Sequence, residues 1–155
     1  MTKARGRTLL MVLVIAALVA VASPAAVAQD AAPTVVFPVQ LSGPDPEGQG
    51  MAILRLEPAE GTLCYEIMVK GIGEPTEPAP GLGNAHIHGP LPSTGIAVHL
   101  ETEFMQAGAS DVFLASGCVN VDAATVEAIL ANPELFYVNV HTVEFPGGAV
   151  QGTLA

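Results

Sequence analysis

Met51-Ala-Ile-Leu-Arg-Leu-Glu-Pro-Ala-Glu-Gly-Thr-Leu-Cys-Tyr-Glu-Ile-Met-Val-Lys70 decides the fold class of this chain. Two apolar, strand-forming runs, 51–57 and 62–70, flank Pro58-Ala59-Glu60-Gly61, a tetrapeptide rich in turn formers. In the second run Leu63, Tyr65, Ile67 and Val69 share one face, while Cys64, Glu66, Met68 and Lys70 share the other, wetter one. A period of two with a turn at its centre predicts an antiparallel hairpin with one face toward a core.

Working outward, residues 34–41 form a further strand candidate in which Pro38 marks an edge or bulge, and 42–50 read as a turn dense in Gly, Pro and acids. Residues 71–83 read as a long surface loop. Short strands are expected at 85–88 and 95–100 around a second Pro-rich turn, and the segment 104–109 fits neither period. A strand at 116–121 runs into Asp122, an N-cap for a helix over 123–131 that carries Val126, Ile129 and Leu130 at helical spacing. Asn132-Pro133 stops it. Strands at 135–142 and 149–154 close the chain around Phe145-Pro146-Gly147-Gly148. Many short strands, Gly/Pro turns and one helical excursion predict an all-β fold, an antiparallel, Greek-key-like β-sandwich with a short helix near 122–131. One domain is expected over 34–155.

The N-terminus sets the compartment. Lys3, Arg5 and Arg7 precede an unbroken apolar stretch, 9–22, and then the small-residue run Ala26-Val27-Ala28. That is the pattern of a signal peptide over 1–28, cleaved after Ala28, and the apolar stretch is shorter than the ~20 residues of a membrane span. Residues 29–33 read as a loose mature N-terminus. Cleavage leaves Arg55 and Lys70 against fifteen acids, a net charge of −13 with His neutral. Such a surface repels nucleic acid and anionic membrane, so no nucleic-acid partner and no stable membrane anchor are expected. Export to a periplasmic or extracellular space also lets Cys64 and Cys118 form a disulfide; a shared metal site is the rival reading, but no C-x-x-C spacing supports it.

Three of the four histidines fall in two segments, Asn84-Ala85-His86-Ile87-His88-Gly89-Pro90 and Tyr137-Val138-Asn139-Val140-His141-Thr142. On a strand His86 and His88 project to the same face, and His141 on a neighbour would complete a three-nitrogen set. Neutral imidazoles are favoured ligands of copper and zinc, with His99 as a candidate fourth ligand and Glu101 or Glu103 near it. The alternative is a structural cluster, in which the rings hydrogen-bond backbone groups, Asn139 or Thr142. Gly89, Gly147 and Gly148 read as turn residues, and Asn84 and Asn139 as loop hydrogen-bonders. No nucleophile elbow, phosphate loop or zinc-protease helix is present.

The same two segments, with Phe145-Pro146-Gly147-Gly148-Ala149-Val150-Gln151-Gly152 after them, resemble the CHRD (chordin-type) domain in its stand-alone secreted bacterial form. The resemblance spans Val35 to Leu154. It implies an extracellular module without established enzymatic activity. One departure stands out: such domains usually read Gly-x-Ile-Arg-Gly, where this chain has Gly148-Ala149-Val150-Gln151-Gly152, so a fixed cation is lost. The His-x-His plus distant His set is also similar to the copper half of Cu/Zn superoxide dismutases, but their zinc loop and guiding Arg are not recognisable here.

Three functions follow as expectations. The first is a secreted CHRD-domain interaction module acting on an extracellular protein or glycan. The second is a copper- or zinc-binding protein that uses His86, His88 and His141. The third is a dismutase-like enzyme, which the negative surface disfavours because it would repel superoxide.

Overall fold

The computed structural model describes residues 32–77, 79–93, 95–100 and 102–155. The expected signal peptide, most of 29–33, and Glu101 lie outside them. Among the described residues nine strands form in the order β1 (Val35–Ser42), β2 (Gln49–Glu57), β3 (Thr62–Lys70), β4 (Ala85–His88), β5 (Ile96–His99), β6 (Met105–Gln106), β7 (Val112–Asn120), β8 (Tyr137–Val140) and β9 (Val150–Thr153). Among the described residues one α-helix, α1 (Ala123–Ala131), lies between β7 and β8. The expected hairpin is β2–β3, with Met51 opposite Met68 and Leu54 opposite Tyr65. Ala52, Leu54, Leu56, Leu63, Tyr65, Ile67 and Val69 are all buried, as the period of two demands.

The all-β antiparallel reading holds, with a refinement of its layering. The strands belong to one sheet ordered β5-β4-β8-β9-β1-β2-β3-β7-β6, not to two separate ones. At its middle the ladder thins to the single pair Ser42↔Gln151 between β1 and β9, and the sheet curls there. Its two arms bury their inner faces in one cluster, with Phe37, Leu54, Leu63 and Ile67 from one and Ile87, Val98, Val138 and Val150 from the other. Each such side chain contributes about 1.5–3 kcal/mol of burial. Pro38 sits where β1 is paired along β2 but has not yet reached its single pair with β9 at Ser42, so its missing N–H costs no ladder bond on that side.

Smaller differences have local causes. Strand β7 begins at Val112, earlier than the expected 116, because Val112 to Ala115 find Lys70 to Ile67 opposite them. The ambiguous segment 104–109 supplies only the two-residue edge strand β6. Asp122 caps α1 as expected, its Oδ1 accepting from the Thr125 N–H at 3.0 Å and its Oδ2 from the Thr125 hydroxyl at 2.7 Å. These bonds hold the Asp122 carboxyl below its ordinary pKa. Val126 and Ile129 face the core, whereas Leu130 is exposed. Pro133 begins a single 3-10 turn, Pro133–Leu135, so β8 starts two residues later than its apolar run suggests.

Cys64 and Cys118 stand directly opposite one another on β3 and β7 and are joined by a disulfide. A disulfide fits an oxidising compartment.

Candidate metal centre

Strands β4 and β8 pair with His86 opposite Asn139 and His88 opposite Tyr137. Ala85, Ile87, Val138 and Val140 fill the core, so the alternation turns His86, His88, Tyr137 and Asn139 to the outer face. His141 follows β8 on that face. An outer face would ordinarily be wet, but two loops cover this one.

The first cover comes from Pro75 and Thr76, before β4. Pro75 bridges to Thr142, the Thr76 N–H donates to the His141 carbonyl at 3.0 Å, and the His141 N–H donates to the Asn84 carbonyl at 2.9 Å. Asn84 ties this together: its amide donates to the Pro75 carbonyl at 3.3 Å and its Oδ1 accepts from the Thr102 hydroxyl at 3.2 Å. The second cover is the β8–β9 connection, where the Asn139 amide donates to the Gly147 carbonyl at 3.0 Å. The result is that His86 is 1% and His141 4% exposed. Both asparagines are loop hydrogen-bonders, as expected.

Ring contacts then define the chemistry. His86 Nε2 makes a short contact to the Leu82 carbonyl, and His141 Nδ1 donates to the Pro146 carbonyl at 2.9 Å. Their remaining nitrogens, His86 Nδ1 and His141 Nε2, face each other at 3.0 Å. Three polar contacts thus run in a row between two carbonyl oxygens, which only accept. Two neutral imidazoles supply two hydrogens, one fewer than the row needs. Whichever tautomers are chosen, one contact sets lone pair against lone pair unless a further cation enters.

A proton is a poor candidate for that cation near neutral pH. Burial pushes His86 down from 6.5 to about 4; the Leu82 carbonyl opposes this, and the imidazoles of His141, His88 and His99 add to the lowering. His141 is lowered too, by burial first and by His88, against the pull of the Pro146 carbonyl. A metal ion satisfies the same geometry. One nitrogen from each of His86, His88 and His141 lies within 4.8 Å of the others. Ligands 2.0–2.1 Å from one ion sit at most about 4 Å apart, so the His86–His141 pair already fits and His88 must approach by roughly 1 Å. His88 is the half-buried member and lies at a register shift between β4 and β5. Its ring stacks on Tyr137, with centroids 5.1 Å apart and planes within 15°. The carbonyls of Leu82 and Pro146 orient the two buried rings, as backbone oxygens do for metal-binding histidines.

His99 stands opposite His86 on β5 and is exposed, with Nδ1 3.3 Å from the same Leu82 carbonyl. It falls outside the group of three, although it lines a neighbouring depression with Glu77 and Glu103. Gln151, where the resemblance leads one to expect Arg, lies opposite Asn139 and lines a depression of about 590 Å³ with Ser42, Tyr137 and Thr153. The carbonyls of Leu82 and Pro146 have no sequence signature, and Tyr137 lies in the quoted motif without a spacing that would reveal its stack on His88.

Glycine is required at two of the three expected turn positions. Gly89 has φ +134° and a Cβ there would lie 2.6 Å from the Leu135 carbonyl; Gly148 has φ +123° and its Cβ would lie 2.0 Å from Asn139 Oδ1. At Gly147 a Cβ meets nothing within 4 Å. Gly148→Ala is therefore expected to destabilise the protein by more than about 1 kcal/mol, and Gly147→Ala by far less, in parallel urea titrations. Equal losses would contradict this account of the loop.

The low pKa of His86 has a consequence for stability. The unfolded ring binds its proton near 6.5 and the folded one only near 4, so the unfolded state holds more protons between these values. Metal-free protein is expected to keep this stability above pH 6.5 and lose it as pH falls through 6.5 toward 4, by up to about 3 kcal/mol. Urea midpoints at pH 7.5, 5.5 and 4.5 test it; a His86→Phe variant should show a shallower decline.

Fold and site together define an all-β domain with a buried histidine cluster on the outer face of a curled antiparallel sheet. The family profile described as CHRD domain matches residues 30–154, and the chain belongs to the CHRD domain family. No curated protein and no solved structure matches it. Domains of this family are extracellular, which agrees with the disulfide. No described helix is long and apolar enough to cross a membrane.

Proposed function

We propose that this CHRD-domain protein is exported by a cleaved signal peptide, residues 1–28, and serves outside the cytoplasm as a binding module whose centre takes one copper or zinc ion. The observation that carries the reading is the row of contacts from Leu82 through His86 and His141 to Pro146, one hydrogen short of satisfaction. An ion bound there supplies a positive charge to nitrogens whose lone pairs otherwise oppose each other. His86 and His141 hold it, His88 closes on it, and the two carbonyls keep the rings neutral and aimed. Imidazole nitrogen favours Cu(II) and Zn(II) over magnesium or calcium.

Binding is favoured over superoxide chemistry. The two cations left after cleavage, Arg55 and Lys70, stand on β2 and β3 in the other arm of the sheet, and Arg55 is engaged by Glu66 at 2.6 Å. Neither steers an anion to the histidines.

Tag-free protein beginning at Gln29 is titrated with Cu(II) and with Zn(II) by calorimetry and analysed by mass spectrometry under native conditions. One equivalent of either metal, bound with release of no more than a fraction of a proton at pH 7.5, is the expected result. No saturable binding of either would sink the proposal and leave the cluster structural. Mass spectrometry of exported protein tests the signal, since an intact N-terminus there would contradict cleavage after Ala28.

A further inference from the structure

We propose a second metal site of different chemistry, a thioether site for a soft monovalent ion, Cu(I), on the outer face of β2, β3, β7 and β6. The three methionines among the described residues, Met51, Met68 and Met105, all line one depression there. Met51 stands directly opposite Met68 across β2–β3. Leu114 of β7 lies opposite Met68 on one side and Met105 on the other. Cross-strand neighbours of this kind have Cβ atoms about 4.5–5.5 Å apart. Two sulfurs on such a pair can take one ion between them, and Met105, on a two-residue edge strand, can reach over Leu114 as a third ligand.

The placement of the sulfurs is what singles this face out. Methionine ordinarily fills irregular gaps in cores. Among the described residues the core is built from Phe, Tyr, Leu, Ile, Val and Ala, and contains no methionine. Met68 is 41% and Met105 71% exposed. The face is not simply apolar, since Glu66 and Ser116 line the same depression. A surface made only for a partner's apolar side chains could use Leu or Val at all three positions. Sulfur adds a soft, uncharged donor, and thioethers select Cu(I) over divalent ions. No thiol competes, because both cysteines are in the disulfide. The site is separate from the histidine cluster and stands or falls without it.

The test uses Ag(I), a redox-stable probe for Cu(I), added as nitrate in chloride-free buffer to tag-free protein labelled with 13C at the methionine ε-methyl groups. Saturating shifts of the Met51 and Met68 methyl signals at one equivalent are expected, with a smaller shift for Met105. Met51→Leu/Met68→Leu keeps the apolar surface and removes two sulfurs, and should weaken Ag(I) binding at this face at least tenfold; His141→Ala should leave the methyl shifts unchanged. Methyl signals that do not move at one equivalent, or a double-Leu variant that binds as wild type, overturn the site. In that case the face is left as an apolar docking surface. The methyl titration of wild-type protein decides the matter even where the variant folds poorly.

Discussion

His141→Ala and His86→Ala are each expected to lower affinity for Cu(II) or Zn(II) by more than about 100-fold, while His99→Ala changes it less than about threefold. The first two variants remove ring nitrogens that face each other at 3.0 Å in a buried site. Loss of an outer partner to a metal ligand commonly costs 10–100-fold, and loss of the ligand itself exceeds that. His99 is exposed and lies outside the group of three. His88→Ala is expected to fall between, since His88 must move to bind. Competition against a chromophoric chelator at pH 7.5 gives the affinities. If all four variants bind alike, the histidines are not the ligands. These same variants separate ligation from folding, because His141→Ala also leaves the Pro146 carbonyl without its donor. Metal-free stability should therefore fall by about 1–3 kcal/mol while the sheet persists, as read by far-ultraviolet circular dichroism.

Replacing both cysteines, Cys64→Ala with Cys118→Ala, is expected to destabilise the protein by about 4 kcal/mol. The bridge closes a loop with a sequence separation of 54, so its absence frees a long segment of the unfolded chain. It also pins β3 to β7, and the edge strand beyond them, β6, is only two residues long. For a domain of this size the midpoint of thermal unfolding should drop by roughly 15 °C. A loss below about 1 kcal/mol would mean that the cross-strand register alone sets the pairing. Thiol titration of unfolded, unreduced secreted protein provides an independent check, with no free thiol expected.

Much of the fold was legible because its cues are local. The hairpin of β2 and β3, the capped helix behind Asp122, and the strands carrying the histidines all follow from alternation, helical spacing and turn residues. Segments without such cues were read less well: β6 has no period, and β7 extends to Val112 only because β3 lies beside it. Among the candidate residues, His86, His88 and His141 come together and His99 stays at the rim. Spacing along a strand reveals that two rings share a face, whereas sequence says nothing about which loop will cover it.

The family, the all-β class, the cysteine pair and the shared face of His86 and His88 were therefore properties of the sequence itself. Each depends on residue types and their local spacing along the chain. Tertiary structure alone decided that the sheet is continuous and curled, that two loops bury an outer face, and that the carbonyls of Leu82 and Pro146 bracket two imidazoles. Those carbonyls belong to every residue's backbone, so no side-chain pattern can announce them. It is their position, set by the paths of two loops, that leaves the row of contacts one positive charge short.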